Sequence, residues 1–431
     1  MFRTLLPYLS ALALSALVPG CGHPDVDPAV TTGTGTPFAD GAEERAPEAA
    51  PAPLGQATKA APAAPFPEGQ RAFEIVLKTL RERYYGQGLT DDQLYRAATQ
   101  GLLENADPAM KKWNTLLSPA EIAELRFDLK GEVVGVGVRI DFDPDTGYSR
   151  VLGTLPGSPA EKAGLVAGDL IVSVDGMLFK GKAIGDVVAG IRGKAGEKVA
   201  ITFLRGGELL SQSIAREVVA YEPAEHLSLG DGIGYLRVRS FSEKTPPAVR
   251  TSLDALAREG TRSLVVDLRD NPGGSFDHAV ETAGLLLPVG REVVVIDKRD
   301  EGTKRYKSEK TGPLADVPVV VLVNGGTSSG GEFVSAALAE GRGAKLIGQK
   351  TFGKWTVQSI EELPNGWAFK YTISVFKTPA GKSYEGTGMA PDIEVSQDPK
   401  VLEQALRLKD AKERIAADTQ LRTAMKMVGA R

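Results

Sequence analysis

The chain has 431 residues, which is too many for one compact domain and predicts two or three folded units. Hydrophobic residues make up 42% and charged residues 25%, a balance typical of globular domains and not of a multi-span membrane protein. The formal net charge of -4 provides no basic surface, which excludes nucleic acid as an expected partner.

The first residues have the pattern of an export signal, in which Arg3 is followed by an apolar run and then by small residues. The run is too short to span a bilayer and predicts a cleaved signal peptide over residues 1–20. Val18-Pro19-Gly20-Cys21 resembles the bacterial lipobox, in which the cysteine is lipidated. We therefore expect Cys21 to anchor the protein to a bacterial membrane, with the folded part facing the periplasm or the exterior. The alternative is a plain secretory peptide.

Two segments separate this signal from the first strands. Residues 21–66 are rich in Pro, Ala, Gly and Thr and contain few large apolar residues, so they predict a disordered tether. Residues 67–130 show helical apolar spacing and predict a small helical region with a structural role. Within it, Ser118 and Glu121 have the spacing of a capping box at a helix start.

Residues 131–218 consist of short alternating strands bounded by glycines, with two short helices between them. The segment "PGSPAEKAGLVAGDLIVSVDG" and the order of these elements resemble a PDZ domain. The resemblance implies that Gly135, Val136, Gly137 and Val138 form a loop whose N–H groups bind a terminal carboxylate, while the peptide adds a strand to the sheet. Protein or peptide C-termini are then the expected partners. The alternative is that the two glycines only permit a tight bend.

Residues 219–397 alternate strands with helices and predict an α/β core, followed by a C-terminal helical extension over residues 398–431. Two strand–loop–helix units stand out, one with Gly273-Gly274 and one with the stretch "NGGTSSGGEF" at 324–333. Glycines permit close approach of a ligand, and N–H groups at a helix start favour the negative charge of an acyl transition state. Each loop alone is also compatible with an ordinary turn.

The histidines do not provide a base for a serine in this stretch. His23, His226 and His278 all precede Ser328 and Ser329, whereas an α/β-hydrolase with Ser328 as nucleophile requires a later histidine. A chymotrypsin-like arrangement with His278 as base fits the chain order, but that fold has two β-barrels and this region alternates helix with strand. A β-lactamase-like enzyme would require its S-x-x-K and K-T-G segments in the opposite order.

A lysine base is the remaining option. The segment "GQKTFGKWTVQ" contains Lys350 and Lys354, with Gln358 four residues beyond the latter. A lysine acts as a general base only when it is neutral, and burial beside apolar groups such as Phe352 and Trp355 would lower its pKa. From the residues alone, a surface lysine is the competing interpretation.

The span from about 70 to 397 resembles the carboxyl-terminal processing peptidases, which are bacterial and chloroplast serine proteases with an inserted PDZ domain. These enzymes place the nucleophilic serine three residues before a glutamate, the lysine base 25 residues after the serine, and a glutamine four residues later. Ser329, Glu332, Lys354 and Gln358 match this pattern without a gap. The resemblance implies a multidomain α/β protein with a crotonase/ClpP-like peptidase core, a β-sandwich-like PDZ domain and the helical region.

The resemblance also assigns an oxyanion hole, because "LVVDLRDNPGG" matches the corresponding segment of the family. The N–H of Gly273 or Gly274, together with that of Gly330, would stabilise the intermediate. Two departures stand out. Gly330 occupies a position where the family has other small residues and is expected to loosen the loop. Trp355 stands where the family tends to have glycine and is expected to shield Lys354 or to narrow the cleft.

These observations predict a lipid-anchored serine endopeptidase of the cell envelope that cleaves proteins near their C-termini with a Ser329–Lys354 dyad. The PDZ domain would bind or gate the substrate tails. No metal or cofactor is expected, since the chain has neither an H-E-x-x-H nor a P-loop motif. An inactive PDZ scaffold that binds C-termini and an esterase with the same dyad are the alternatives. The sequence leaves open an adaptor protein or a second copy of the chain as a further partner.

Overall fold

A computed structural model describes residues 12–13, 66, 68–86, 88–143, 146–155, 157–182, 184–299 and 301–429. The described residues belong to two compact units, one within residues 20–99 and one that contains Leu12–Ala13 and the residues from Gln100 onward. Cys21 lies outside the described residues, as do most of the predicted signal peptide and tether. We find no membrane-spanning candidate among the helices of the described ranges.

Two helices belong to the region before residue 106, α1 (Gly69–Arg83) and α2 (Asp91–Asn105). Helix α2 begins at a reciprocal pair of hydrogen bonds. The Gln93 N–H donates to Thr90 Oγ1 at 3.3 Å, and the Thr90 N–H donates to Gln93 Oε1 at 2.9 Å. This is a capping box, which satisfies two N–H groups that the first helical turn leaves without partners.

The other elements, in chain order, are β1 (Leu12–Ala13), a 3-10 helix (Pro108–Trp113), β2 (Thr115–Leu117), α3 (Pro119–Lys130), β3 (Glu132–Gly135), β4 (Val138–Asp143), β5 (Tyr148–Thr154), α4 (Pro159–Lys162), β6 (Leu170–Val174), β7 (Met177–Leu178), α5 (Ile184–Ile191), β8 (Lys198–Arg205), β9 (Glu208–Ala215), β10 (Glu217–Ala220), β11 (Ala224–Ser228), β12 (Ile233–Val238), α6 (Thr245–Arg258), β13 (Ser263–Asp267), β14 (Gly274–Ser275), α7 (Phe276–Leu285), β15 (Glu292–Lys298), β16 (Gly302–Lys307), β17 (Val319–Val323), α8 (Gly330–Arg342), β18 (Lys345–Gly348), β19 (Thr356–Glu362), β20 (Ala368–Lys377), β21 (Ile393–Glu394), α9 (Pro399–Arg407), α10 (Ala411–Ala417) and α11 (Thr419–Gly429). The capping box predicted at the start of α3 is present, formed by Ser118 and Glu121.

The strands between α3 and β11 form a small domain with its own core. Strands β4, β5, β6, β8 and β9 make an antiparallel sheet in that order, with β7 beside β6. Alternate residues of β8 point into the core, so that Val199, Ile201 and Phe203 are buried together with Val151 and Ile171. Strand β4 lies at the edge of this sheet and pairs only with β5 among the described strands.

A second sheet forms the centre of residues 221–397, with the strand order β11-β12-β13-β17-β18-β21. Strand β11 is antiparallel to β12, and all other neighbours are parallel. Strands β13 and β17 are buried along their whole length, as parallel strands covered on both faces are. Because parallel strands end at the same edge of a sheet, the loops after β13 and β17 emerge side by side.

Helices cover both faces of this parallel sheet. On one face, Leu264 and Val266 of β13 pack in a core with residues of α6, α7 and α8. On the other face, Val265 packs in a core with Leu421 and Ala424 of α11. Successive residues of a strand point to opposite faces, so the apolar run of β13 contributes to both cores. The C-terminal helix α11 is therefore one layer of the α/β core.

An antiparallel sheet lies beside the loop that follows β13. Its order is β14-β1-β19-β20-β15-β16, and β2 pairs with β20. The backbone of β1 lies between β14 and β19, where Leu12 pairs with Ser275 on one side and with Gln358 on the other. The pairing of β2 with β20 places the 3-10 helix, which ends at Trp113, against strand β20.

Candidate active site

Ser329 lies at the turn between β17 and α8 and immediately precedes the first helical residue, Gly330. Its φ is 53° and its ψ is -114°, a combination that residues other than glycine rarely adopt. The side chain is fully buried, and its Oγ has no hydrogen-bond partner among the described residues. A serine on a strained turn between a strand and a helix, at the carboxyl edge of a sheet, has the backbone geometry of a nucleophile elbow.

Gly273, in the loop after β13, touches the loop that carries Ser329. A Cβ atom built on Gly273 would lie 2.9 Å from Ser329 Cβ and 3.0 Å from Gly330 N, and the residue has a φ of 96°. Only glycine permits both this conformation and this approach. The Gly273 N–H donates to Asn271 Oδ1 at 2.8 Å. The structure thus brings Gly273, Ser329 and Gly330 together, with the Gly273 N–H held by Asn271 in this state.

The glycines at 274 and 330 are both explained by packing against Phe241. A Cβ on Gly274 would lie 2.2 Å from Phe241 O, and a Cβ on Gly330 would lie 2.9 Å from Phe241 Cδ2 and 3.3 Å from Ala279 Cβ. Distances below 3.0 Å cannot be accommodated without movement of the neighbours. The sequence predicts that Gly330 loosens the loop, whereas the structure shows a closely packed position that has no room for a side chain.

Glu332 joins the serine loop to the segment that carries Lys354. Its Oε2 accepts the N–H of Ser329 at 3.0 Å and the N–H of Lys354 at 2.9 Å. Its Oε1 accepts the Thr351 hydroxyl at 2.6 Å and the Gly353 N–H at 2.9 Å. Burial raises the pKa of Glu332 above its ordinary value, while the four hydrogen bonds oppose the shift. One buried carboxylate therefore fixes two segments that are 25 residues apart in the sequence.

We expect Glu332→Gln to lower kcat/KM for peptide cleavage about 100-fold, since misplacement of catalytic groups by about 1 Å has an effect of that size. We also expect the free energy of unfolding to fall by about 2 kcal/mol, because the amide nitrogen faces N–H donors and leaves them unpaired. The measurements are steady-state kinetics and urea denaturation. Glu340→Gln, an exposed position of the same helix, is the matched control. Wild-type kinetics in Glu332→Gln would contradict this role.

Lys354 is fully buried, and its Nζ lies 4.7 Å from the centroid of the Trp113 ring. Burial, with smaller contributions from the positive charges of Lys370 and Lys112, lowers its pKa from the ordinary value of 10.5 to about 7, against the opposing charges of Glu385 and Glu332. An amine with this pKa is neutral in a large fraction of molecules near pH 7. It therefore has the protonation state that a general base requires.

The side chains of the predicted catalytic residues do not bond to one another in this state. Neither Lys354 Nζ nor Ser329 Oγ has a hydrogen-bond partner among the described residues. Gln358 is also buried. Its Nε2 donates to Thr356 Oγ1 at 2.7 Å, and its Oε1 has no described partner, so Lys354 and Gln358 do not form a hydrogen bond with each other. Buried polar atoms without partners are rare and concentrate at functional sites, where a bound molecule completes them.

Trp355 does not shield Lys354, in contrast to the prediction from the sequence. Its indole is fully buried in the core, with its ring centroid 4.9 Å from Phe376 and 5.3 Å from Tyr384. Trp355 belongs to the core of the α/β domain, whereas the aromatic ring that lies over Lys354 Nζ is that of Trp113. The prediction that Trp355 narrows the cleft is therefore wrong.

Trp113 provides the cover that was expected from Trp355. It is 3% exposed, and its ring also lies 6.4 Å from that of Phe352, measured between centroids. The sequence predicts only a structural role for the helical region at 67–130 and does not indicate a place for Trp113 beside Lys354. A tryptophan that follows two lysines is unusual at a protein surface. However, no sequence pattern relates position 113 to position 354.

Arg269 forms a buried ionic cluster directly behind the loop that contains Gly273. Its Nη2 donates to Asp267 Oδ2 at 2.5 Å and to Asp418 Oδ2 at 2.7 Å, and its Nη1 donates to Gln420 Oε1 at 2.8 Å. Burial raises the pKa of Asp267, but the charge and hydrogen bonds of Arg269, together with Arg237 and the Tyr235 hydroxyl, outweigh it and hold the pKa below its ordinary value. The start of α11 is therefore bound to the base of the loop.

We expect Asp418→Asn to lower the free energy of unfolding by about 3 kcal/mol, because it removes one charge of a buried cluster. Asp418 Oδ1 also accepts the Leu421 N–H at 2.9 Å and so caps α11. Asp410→Asn is the matched control, since Asp410 caps α10 in the same way with a bond of 2.9 Å from the Glu413 N–H but has no cationic partner among the described residues. Asparagine is also a good cap, so equal, small losses in urea denaturation of both variants would contradict the ionic role.

The predicted carboxylate-binding loop of the PDZ domain connects β3 to β4. Gly135 ends β3, Val138 begins β4, and Val136 is buried in the core of the domain. Gly137 has a φ of 75°, and a Cβ on it would lie 2.3 Å from Ser158 Cβ. This bend requires glycine whether or not a peptide binds, so the binding role of the loop stays a prediction.

The comparisons with known proteins agree with this architecture. The family model of Peptidase family S41 matches residues 232–395, and a PDZ domain model matches residues 150–205. The chain is 33% identical over 326 residues to the carboxyl-terminal-processing protease of Picosynechococcus sp., covering 74% of this chain and 77% of that protein. It is 30% identical over 341 residues to the carboxy-terminal processing protease CtpA of Bacillus subtilis, covering 79% of this chain and 71% of that protein.

Among solved structures, the photosystem II D1 C-terminal processing protease is similar to this chain with a TM-score of 0.50 and 29% sequence identity, covering 81% of this chain and 96% of that chain. The fold and these similarities define a serine-type protease with a PDZ domain. The chain belongs to peptidase family S41, among the carboxyl-terminal-processing proteases, and this supports protease function over the inactive scaffold.

Proposed function

We propose that Ser329 is the nucleophile and Lys354 the general base of this protease. The neutral amine of Lys354 accepts the hydroxyl proton as Ser329 attacks the peptide carbonyl, and it then gives the proton to the leaving amine. In the second step, Lys354 takes a proton from the water molecule that attacks the acyl-enzyme and gives it to the Ser329 oxygen as the product acid leaves. The observation that supports this most directly is the carboxylate of Glu332, which binds the N–H groups of both residues while both reactive atoms are buried without described partners.

The oxyanion that forms on the substrate lies, in this proposal, between the two glycine loops. The N–H of Gly330 at the start of α8 is one donor, and the N–H of Gly273 or Gly274 is the other. Gln358 orients the ammonium group that Lys354 becomes, since its buried Oε1 has no described partner and can accept an N–H.

The proposed substrate binds in an extended conformation between β14 and β19. The backbone of Leu12–Ala13 supports this, because it already lies there as a strand paired with Ser275 and Gln358. A tail that carries the terminal carboxylate is proposed to pair with the edge strand β4, with its carboxylate at the loop of residues 135–138. Binding of the substrate tail at β4 and of the preceding segment between β14 and β19 would place the cleaved bond near the C-terminus.

The remaining assignments rest on sequence pattern and family resemblance. We propose a crotonase/ClpP-like core preceded by the helical region at 67–130, and a lipid anchor at Cys21 that holds the protein in the bacterial envelope. An adaptor protein or a second copy of the chain is a further candidate partner. Incorporation of radiolabelled palmitate into the wild-type protein and its absence in Cys21→Ala would support the anchor, and equal incorporation would contradict it.

The preference for C-termini can be tested with two versions of one protein substrate. Both versions end in the same apolar tail, but one has a free carboxylate and the other a C-terminal amide. We expect the free acid to be cleaved faster, with mass spectrometry locating the cut near the C-terminus. Equal rates for acid and amide would contradict carboxylate recognition, and turnover of a small ester without cleavage of either protein would favour the esterase alternative.

A further inference from the structure

Trp113 lies over the amine of Lys354, although it belongs to a region for which the sequence predicts only a structural role. Its ring centroid is 4.7 Å from Lys354 Nζ, and both side chains are buried. The indole Nε1 has no hydrogen-bond partner among the described residues. A buried indole usually finds a partner for its N–H, so a polar contact does not explain why the ring lies in this place.

Neighbouring residues hold the indole in position. Asn114, the next residue, donates from Nδ2 to Leu103 O at 3.2 Å, and its Oδ1 accepts the Thr372 N–H at 2.9 Å. The ring of Phe352, two residues before Lys354, lies edge-on to the indole, with the two centroids 6.4 Å apart. The end of the 3-10 helix is therefore bound both to β20 and to the segment that carries the proposed base.

Four charged groups act on the Lys354 amine, two of each sign. Lys370 of β20 and Lys112 of the 3-10 helix oppose its positive charge, whereas Glu385 after β20 and Glu332 of α8 favour it. The Lys112 amine lies 4.5 Å from the centroid of the same indole. Burial has a larger influence on the pKa of Lys354 than any of these charges.

The ring has two effects on the amine, and they act in opposite directions. An aromatic face attracts an ammonium group, and this attraction raises the pKa of the amine by about 1 to 2. Exclusion of water from a fully buried amine lowers the pKa by about 3 to 5. Exclusion of water is therefore the larger effect, in agreement with the pKa of about 7 for Lys354.

We propose that Trp113 is a positioning residue for the general base, because its ring keeps water away from the Lys354 amine and thereby favours the neutral form. The role of Lys354 as the base rests on the proposed function, whereas the exclusion of water follows from the position of the ring. Trp113 takes no part in the bonds that form and break, and it acts through Lys354. The helical region at 67–130 thus contributes a side chain to the catalytic site.

Trp113→Ala in the full chain tests the proposal through the pH dependence of kcat/KM with a fluorogenic peptide. Water that enters the space of the ring should raise the pKa of Lys354 by about 1 to 2. We then expect kcat/KM at pH 7 to fall about 5- to 50-fold and to recover above the raised pKa, where the amine is again neutral. Trp113→Phe retains an aromatic cover and should keep a profile close to that of the wild type. A Trp113→Ala profile that is unchanged, or that moves to lower pH, would overturn the proposal.

Tyr306→Ala is the matched control. The Tyr306 ring also lies 4.7 Å from a lysine amine, that of Lys304, but this lysine is exposed. Because Tyr306 packs against the core, its loss should lower stability without moving the pH profile. A shift as large as that of Trp113→Ala would show a general effect of lost packing and would overturn the proposal.

Phe352→Ala tests the proposal independently if Trp113→Ala fails to fold. Phe352 is 46% exposed, so its loss weakens the support of the indole at a small cost in stability. We expect the pH profile to move in the same direction as in Trp113→Ala, but by a smaller amount. An unchanged profile in a folded Phe352→Ala variant would then contradict the role of Trp113.

A direct titration of Lys354 separates this proposal from the protease mechanism. Lysine labelled with carbon-13 at Cε reports the charge of its amine by NMR, and the Lys354 signal is identified by its absence from Lys354→Met. In a Ser329→Ala background we expect this signal to titrate near pH 7 with Trp113 present and at higher pH in Trp113→Ala. This result in an enzyme that cleaves no protein would remove only the proposed function. Normal proteolysis by the wild type, with an unchanged titration in Trp113→Ala, would remove only the role of Trp113.

Discussion

Ser329→Ala is expected to lower kcat/KM for peptide cleavage about ten-thousandfold or more, since removal of the proposed nucleophile leaves only binding and oxyanion stabilisation. The fold should be unaffected, because the hydroxyl has no hydrogen-bond partner among the described residues and its loss leaves no group unpaired. Steady-state kinetics with a fluorogenic peptide measure the loss, and urea denaturation measures the stability.

Ser328→Ala is the matched control for this experiment. Ser328 is the adjacent residue, is 4% exposed, and also has an Oγ without a described partner. We expect it to retain most of the activity, so equal losses in the two variants would contradict the assignment of Ser329. Ser329→Gly should be inactive as well but about 1 kcal/mol more stable than the wild type, because glycine adopts a φ of 53° without strain.

The kcat/KM of the wild-type enzyme is expected to rise with pH through about 7, which is the pKa of Lys354. Below this pH the amine is protonated and cannot accept the serine proton, and above it the amine is neutral. Lys370→Gln removes a positive charge that lowers this pKa, so the pKa should rise and the rise in kcat/KM should move to higher pH. Lys112→Gln should act in the same direction but less, since Lys112 makes the smallest of the contributions.

Lys354→Met extends the test to stability. In the unfolded chain a lysine has a pKa near 10.5, so between about pH 7 and 10.5 the unfolded wild type binds more protons than the folded state. Wild-type stability should therefore increase as pH rises through this window, and the increase should be absent in the variant. At pH 7 we expect Lys354→Met to be inactive yet about 1–4 kcal/mol more stable, because the buried amine is replaced by an apolar chain of similar volume. An active Lys354→Met would contradict the dyad.

The sequence predicts the parts of the site that lie in short, continuous segments. The spacing shared with the carboxyl-terminal processing peptidases predicts Ser329, Lys354 and Gln358 as site residues, and the matching glycine pair after a strand predicts Gly273 or Gly274. The alternation of strands and helices predicted the mixed α/β core, because periodicity of apolar residues depends on the local backbone. These predictions need no knowledge of which distant segments meet.

The parts that the sequence did not reveal are contacts between distant segments. Trp113 reaches Lys354 only because β2 pairs with β20, and no local pattern encodes that register. One partner of Arg269 is Asp418, which caps α11 in the segment predicted as the C-terminal helical extension. The wrong prediction for Trp355 has the same origin. The direction of its side chain is set by packing against residues that are distant in the sequence, and the local sequence does not identify those residues.

The ionic cluster around Arg269 has a practical consequence for expression of the catalytic domain alone. A polypeptide cut to the family-matched segment, residues 232–395, would lack Asp418 and Gln420 and would leave the Arg269 guanidinium group with two of its five side-chain hydrogen bonds. We expect such a fragment to aggregate, whereas a version that continues through residue 429 should be recovered in soluble form. The minimal autonomous unit of this enzyme therefore extends beyond the borders that family similarity assigns.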